Sequence, residues 1–291
     1  MSTLVYEIVD VFTDRPFAGN PLAVVFGAEE LATAQLQALA REFNLSETVF
    51  VLPPTAGTGA GYRARIFTPI RELPFAGHPS IGAAVTGVRR GLFPAGPVVQ
   101  ECGAGLLPID ASRPDAARLT GGTPTLGAEL DPARLRGLLE LGPDDLTGAT
   151  PRRAGCGLEF GYVAVTADAL GRVRPDPARL LDADLGFLSV LHWDPATATA
   201  RARVFCPAAG IPEDPATGSA ALGLGAWLVG VGLLPGDGES AYTVRQGVEI
   251  QRPSTLHGSV TAADGAALEA TVAGSVVPIA RGEIAVPPFV G

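Results

Sequence analysis

The 291-residue chain is poor in the side chains that build several common kinds of functional site. It has three cysteines, Cys102, Cys156 and Cys206, too few and too far apart for a disulfide framework or a cysteine-rich zinc site. They read as small buried hydrophobes in a reducing compartment. Basic side chains are outnumbered, 21 against 30 acidic ones, giving a net charge of −9. That balance argues against a nucleic-acid or anionic-membrane partner, since both need a basic footprint, and no run of like charge overrides it. The opening MSTLVYEIVD lacks the basic and then apolar regions of a signal peptide, so a cytoplasmic, soluble protein is expected. Residues 215–236 carry no charge, but their glycines, polar Thr217–Ser219 start and closing Pro235 suit a buried helix better than a membrane span.

Familiar motifs are absent too. GLGLGAWLVG lacks the dinucleotide-binding spacing, and there is no P-loop, His-Glu-x-x-His pair or Gly-x-Ser-x-Gly elbow. The expectation is acid–base chemistry with neither cofactor nor metal.

What is present describes a folded chain with ample core. Hydrophobic residues make up 47% and charged ones 18%, and the 37 glycines and 26 prolines are dispersed as turn signals. Residues 4–26 read as a long-looped hairpin, and GAEELATAQLQALAREFNL as an amphipathic helix ending at Asn44. SETVFVLPP and YRARIFTP read as strands, and HPSIGAAVTGVRRG as a helix with Pro79 in its first turn. GGTPTLGAELDPARL reads as a linker into a short helix, after which the order recurs. YTVRQGVEI, LHGSVTAAD, ALEATVAGSV and EIAVP are expected as four closing strands. The fold class is therefore α+β: two similar domains, residues 1–122 and 129–277, each with one central apolar helix. The strand 278–291 is a candidate to return to the first domain.

The repeat is explicit in the letters. RARIFTP (63–69) and RARVFCP (201–207) each lead through a Pro/Gly-rich turn into a small-residue helix. The first helix starts at Gly77-His78-Pro79-Ser80 and the second at Gly218-Ser219-Ala220. A helix start offers unsatisfied N–H groups and partial positive charge, and glycine lets a ligand approach the backbone. Taken singly, either start reads as an ordinary cap; as a pair with different polar residues, they suggest one shared pocket for a carboxylate or an enediolate. Three titratable residues join them. His78 is one of three histidines, Asp214 precedes Gly218 in PEDPATGS, and Glu47 enters a strand in NLSETVF. A carboxylate serves as general base toward an α-proton when burial raises its pKa toward neutrality, although Glu47 alone also reads as a capping or solvated glutamate. Asn20, in FAGNP echoing FAGHP, is either a donor to substrate or a structural turn residue.

These segments, VDVFTDRPFAGNPLAVV, LAREFNLSETVFV, RIFTPIRELPFAGHPSIGAA, CPAAGIPEDPATGSAALG and QGVEIQRPS, occur in order over nearly the whole chain. In them the sequence resembles the phenazine-biosynthesis PhzF-like isomerases, relatives of diaminopimelate epimerase and proline racemase. The resemblance implies two similar α/β domains, each a strongly curved, barrel-like and mostly antiparallel sheet around a central helix. It implies a small carboxylic-acid substrate and a homodimer. Glu47 matches the catalytic carboxylate that moves a proton between carbons; His78, Asp214 and Ser219 match polar residues around the substrate, with Gly77 and Gly218 as backbone donors. The racemase relatives use two facing cysteines at these helix starts, and none of the three cysteines here falls on them. A single-base isomerase is therefore expected, with a non-catalytic acid-binding protein or an epimerase using Asp214 as second base as alternatives. One departure stands out: Gln251 occupies a position where glycine is expected.

Overall fold

The structure, a computed structural model, describes residues 2–288. The chain divides into two compact units, one running to Thr120 and resuming at Ala273, the other spanning Gly121–Val272. The first contains strands β1 (Thr3–Val11), β2 (Asn20–Phe26), β3 (Glu47–Leu52), β4 (Tyr62–Phe67), β5 (Glu72–Leu73), β6 (Gly96–Cys102), β7 (Gly105–Arg113) and β8 (Ala116–Thr120). Its helices are α1 (Thr33–Phe43) and α2 (Gly77–Arg89). The second contains β9 (Pro124–Glu129), β10 (Arg152–Cys156), β11 (Glu159–Ala164), β12 (Leu188–Asp194), β13 (Thr199–Cys206), β14 (Ile211–Asp214), β15 (Gly238–Gln246) and β16 (Ser254–Ala263). Its helices are α3 (Pro132–Leu139), α4 (Ala167–Leu170), α5 (Pro177–Asp182) and α6 (Gly218–Gly230). The last strand, β17 (Ala266–Ala285), begins in the second unit and ends in the first.

In the first unit the pairings run β17–β1–β2–β3–β4–β6–β7–β8 and back to β17, closing a ring of eight strands. From β17–β1 round to β7–β8 the pairs are antiparallel except β2–β3 and β4–β6. The second unit repeats the scheme, with parallel pairs β11–β12 and β13–β15 among antiparallel ones. Closure leaves that ring of the first unit without free edge strands.

One helix in each unit is enclosed. Residues 77–87 of α2 and 218–229 of α6 are all buried. Strand side chains converge on such a helix from every direction, so it must be thin, and its sequence is accordingly rich in Gly, Ala and Ser. In α6, a Cβ at Gly223 would stand 2.5 Å from Tyr162 Oη, and one at Gly225 would stand 2.7 Å from Tyr242 Oη. Those two hydroxyls reach past the glycines and donate to Ala220 O and Ala221 O, each at 2.7 Å. The other helices lie on separate hydrophobic clusters: α1 against Val25, Phe50 and Phe67, and α3–α5 against Val163, Leu188 and Phe205.

Four sequence expectations shift. The linker segment contains β9, paired to β10, because Gly and Pro mask a short strand there. The strand expected through YTVRQGVEI stops at Gln246, where Gly247 turns at φ +75° so close to Pro215 O and Arg252 O that no Cβ fits. The strands expected as ALEATVAGSV and EIAVP are one, β17, which absorbs Pro278 at a register shift opposite Val9. Asp214, expected in a turn, ends the short strand β14. Part of the segment 278–291 pairs with β1, and residues 289–291 lie outside the described residues. No helix among the described residues is long and apolar enough to cross a membrane.

Two substitutions probe this architecture. Gln251 sits in the left-handed region at φ +60°, which explains why glycine would be the expected residue. Gln251→Gly is expected to raise unfolding stability by about 1 kcal/mol. Gly223→Ala is expected to lower it by about 1–3 kcal/mol through overpacking on Tyr162. Urea titrations of both variants measure the two effects.

Candidate active site

In the first unit, the sequence-predicted residues gather at the start of α2. Glu47 opens β3, whose parallel partner β2 begins at Asn20, and His78 is the second residue of α2. All three are buried: Asn20 is 0% exposed, His78 3% and Glu47 7%. His78 Nε2 lies 3.5 Å from Glu47 Oε2, while its Nδ1 lies 3.3 Å from Asn20 Nδ2. Ser46 Oγ donates to Asn20 Oδ1 at 2.8 Å, which turns the Asn20 amide nitrogen toward the imidazole. An amide nitrogen only donates, so Nδ1 accepts and the ring proton of the neutral tautomer sits on Nε2, facing Glu47. Burial pushes the His78 pKa down to about 3, which keeps the ring neutral at ordinary pH. Ser46 was missed in the sequence; its place beside Glu47 in NLSETVF was its only signal.

A second chain braces the helix start from the sheet. Tyr62 Oη donates to Gln100 Oε1 at 2.9 Å, Gln100 Nε2 donates to Ser80 Oγ at 2.9 Å, and Ser80 Oγ donates to Ala76 O at 2.8 Å. The N-cap residue Ala76 supplies no side-chain cap. The N-cap position thus falls on Ala76, just before Gly77-His78, and has no side-chain acceptor for the first-turn N–H groups.

The start of α6, in the second unit, is built from different residues to the same end. Asp214 and Ser219 are 5% and 7% exposed. Thr217 Oγ1 donates to Asp214 Oδ2 at 2.5 Å. Gln246 Nε2 donates to Asp214 O at 2.7 Å and to Thr217 Oγ1 at 3.0 Å, and its Oε1 accepts from Thr217 N at 3.1 Å. Thr217, the N-cap residue, forms no side-chain cap to the helix, because its hydroxyl is given to Asp214. Gly218 and Ser219 open the helix with buried backbone. Neither Thr217 nor Gln246 stood out in the sequence, since a glutamine inside a strand carries no motif.

The duplication extends to the strand that bears Glu47. Phe67 of β4 pairs with Thr48, and the matching Phe205 of β13 pairs with Leu188. The residue equivalent to Glu47 is therefore Phe187, so the first unit alone has a carboxylate at this place. The cysteines lie elsewhere, Cys102, Cys156 and Cys206 each ending a strand. All three are free thiols, and burial pushes Cys156 up to about 12. Among the described residues, no group of three or more His, Cys, Asp and Glu side chains could hold a metal ion.

Chemically, the first unit offers a buried carboxylate beside a neutral imidazole and an uncapped helix start. The second offers another uncapped start with a buried, hydrogen-bonded aspartate.

Known proteins are similar to this chain over nearly its whole length. The family described as phenazine biosynthesis-like protein matches residues 9–282. An uncharacterized isomerase of Mesorhizobium japonicum is 35% identical, covering 98% of this chain and 99% of its own length. The trans-2,3-dihydro-3-hydroxyanthranilate isomerase of Pseudomonas fluorescens is also 35% identical, covering 96% and 98%. Among solved structures, the phenazine biosynthesis protein of the PhzF family from Bacillus anthracis superposes with a TM-score of 0.87 at 26% identity, over 98% of this chain and 100% of that one. With its ring of strands around a buried helix and a carboxylate at the head of β3, the chain belongs to the phenazine biosynthesis-like family and is an isomerase.

Proposed function

We propose that this isomerase moves a proton between two carbons of a small unsaturated carboxylic acid, with Glu47 as the single base and no cofactor. The observation that carries the reading is the buried Glu47 carboxylate 3.5 Å from a neutral, Nε2-protonated His78. Glu47 takes a proton from the carbon activated by the substrate's carboxyl group, and the electron pair left behind spreads into an enediolate. The same carboxyl then returns the proton to a second carbon of the conjugated system, so that atoms and charge balance without an outside reactant. His78 orients the acid and the first-turn N–H group at Gly77 receives its oxygens, where donors aimed at developing charge act most strongly. Asp214, Ser219 and the N–H group at Gly218 are the corresponding acid-holding groups of the second unit. Asn20 holds the His78 tautomer rather than touching substrate. The acid turned over by the Pseudomonas fluorescens relative, trans-2,3-dihydro-3-hydroxyanthranilate, is the proposed substrate class. The family resemblance further supports a homodimer, which light scattering of the purified chain checks.

Glu47→Gln keeps the side chain's size and removes the base. It is expected to retain the fold and ligand binding and to lose at least a hundredfold in rate. Mass spectrometry in heavy water reads this directly, because turnover by the native enzyme carries solvent deuterium into product. Undiminished deuterium incorporation by the variant would remove Glu47 from the mechanism.

His78 gives a second expectation. Its folded pKa of about 3 lies below the ordinary value of 6.5, so between those pH values the unfolded chain binds the extra proton. Its contribution to stability is thus complete above pH 6.5 and is lost as pH falls toward 3, at about 1.4 kcal/mol per pH unit. His78→Gln is expected to flatten the pH dependence of urea unfolding in that window by about this slope.

A further inference from the structure

The second arginine of each RAR repeat makes the same contact. Arg203 donates from Nε and Nη2 to the two carboxylate oxygens of Glu213, at 3.0 and 2.7 Å. Arg65 donates from Nε and Nη2 to those of Glu72, at 2.8 and 2.7 Å. Each guanidinium also lies 5.2 Å from the ring of the phenylalanine two residues on, Phe205 in one copy and Phe67 in the other. Both glutamates sit on the short return strand, β14 or β5, between the RAR strand and the helix start.

The copies differ in burial. The Arg65 and Glu72 side chains are 24% and 37% exposed; those of Arg203 and Glu213 are 5% and 13% exposed. Arg203 spends its remaining reach on Leu170 O at 3.2 Å and Val173 O at 2.8 Å, so its head is anchored on the scaffold. A buried ion pair is poor value for stability, because desolvation consumes most of its attraction. What a bidentate pair does supply is fixed geometry. Glu213 is the residue immediately before Asp214, whose carboxylate meets Thr217 Oγ1 at 2.5 Å.

We propose that Arg203 and Glu213 are positioning residues for the isomerisation, holding β14 so that Asp214 meets Thr217 and substrate. The inference rests on the proposed role of Asp214. The clamp acts through length and direction, and charge alone does not replace it. Glu213→Asp keeps the charge and draws β14 toward Arg203 by one methylene. Glu213→Gln keeps the length and leaves a buried guanidinium without its counter-charge.

The two variants of the full chain therefore separate stability from catalysis. In thermal melts Glu213→Gln is expected to be the less stable. With trans-2,3-dihydro-3-hydroxyanthranilate, well below both melting temperatures, Glu213→Asp is expected to lose at least tenfold in kcat with KM within threefold. Glu213→Gln, which keeps the length and one of the two hydrogen bonds to Arg203, is expected to lose less kcat than Glu213→Asp. A merely structural pair would give the same order in both measurements, or full activity in both variants, and either outcome overturns the inference. A crystal structure of Glu213→Asp reads the geometry without substrate. The Thr217–Asp214 hydrogen bond lost there supports the clamp even if the native enzyme fails to turn over this acid, a failure that counts against the proposed function alone. The same bond intact, at unchanged length, overturns the clamp whatever the kinetics.

Discussion

Enclosing a helix on all sides by one sheet leaves its ends as the places where backbone groups can meet a ligand. That constraint governs much else here. It forces small residues onto α2 and α6, down to glycines that leave room for tyrosine hydroxyls. It removes side-chain caps from both starts, since the residues there are engaged with the sheet or have no polar atom. It also makes the sheet responsible for bracing each start, through Gln100 in one unit and Gln246 in the other. An uncapped, buried helix start is expensive unless something supplies acceptors, a need that an acid bound there would meet.

The polar groups at the start of α2 form a directed sequence. Ser46 orients Asn20, Asn20 fixes the tautomer of His78, and His78 turns its proton toward Glu47. Burial keeps the imidazole uncharged, so this order survives across the pH range in which the carboxylate would work. In a chain of net charge −9, a negative ligand would have to be met locally by oriented dipoles, the kind of group that an uncapped helix start presents.

Much of this was legible in the letters, and the reasons for the rest are physical. The repeat RARIFTP/RARVFCP announced two copies of one strand and helix, and the glycine-rich starts announced their ends. Glu47, His78 and Asn20 were named from short motifs and meet in space, which the local spacing alone did not require. Ser46, Gln100, Thr217 and Gln246 were not seen, because a residue that braces another carries no pattern of its own until register is known. Strand register shows that the position of Glu47 is repeated and its chemistry is not, since Phe187 occupies the second copy. The strands around Gly247 and Pro278 were misjudged for the opposite reason. Glycine and proline usually punctuate, but here one stops a strand and the other is carried inside one by a register shift.

The path of β17 bears on how the enzyme is made. The stretch of β17 that pairs with β1 to close the first ring comes after the whole second unit in the sequence. During synthesis the ring that holds Glu47 and His78 therefore remains one strand short, with β1 unpaired on that side, until β17 has been made. The second unit has no such wait, since its own elements are complete by Val272. On the ribosome the order of maturation is thus inverted: the later-coded half can settle first, and the half with Glu47 gains its final wall afterwards.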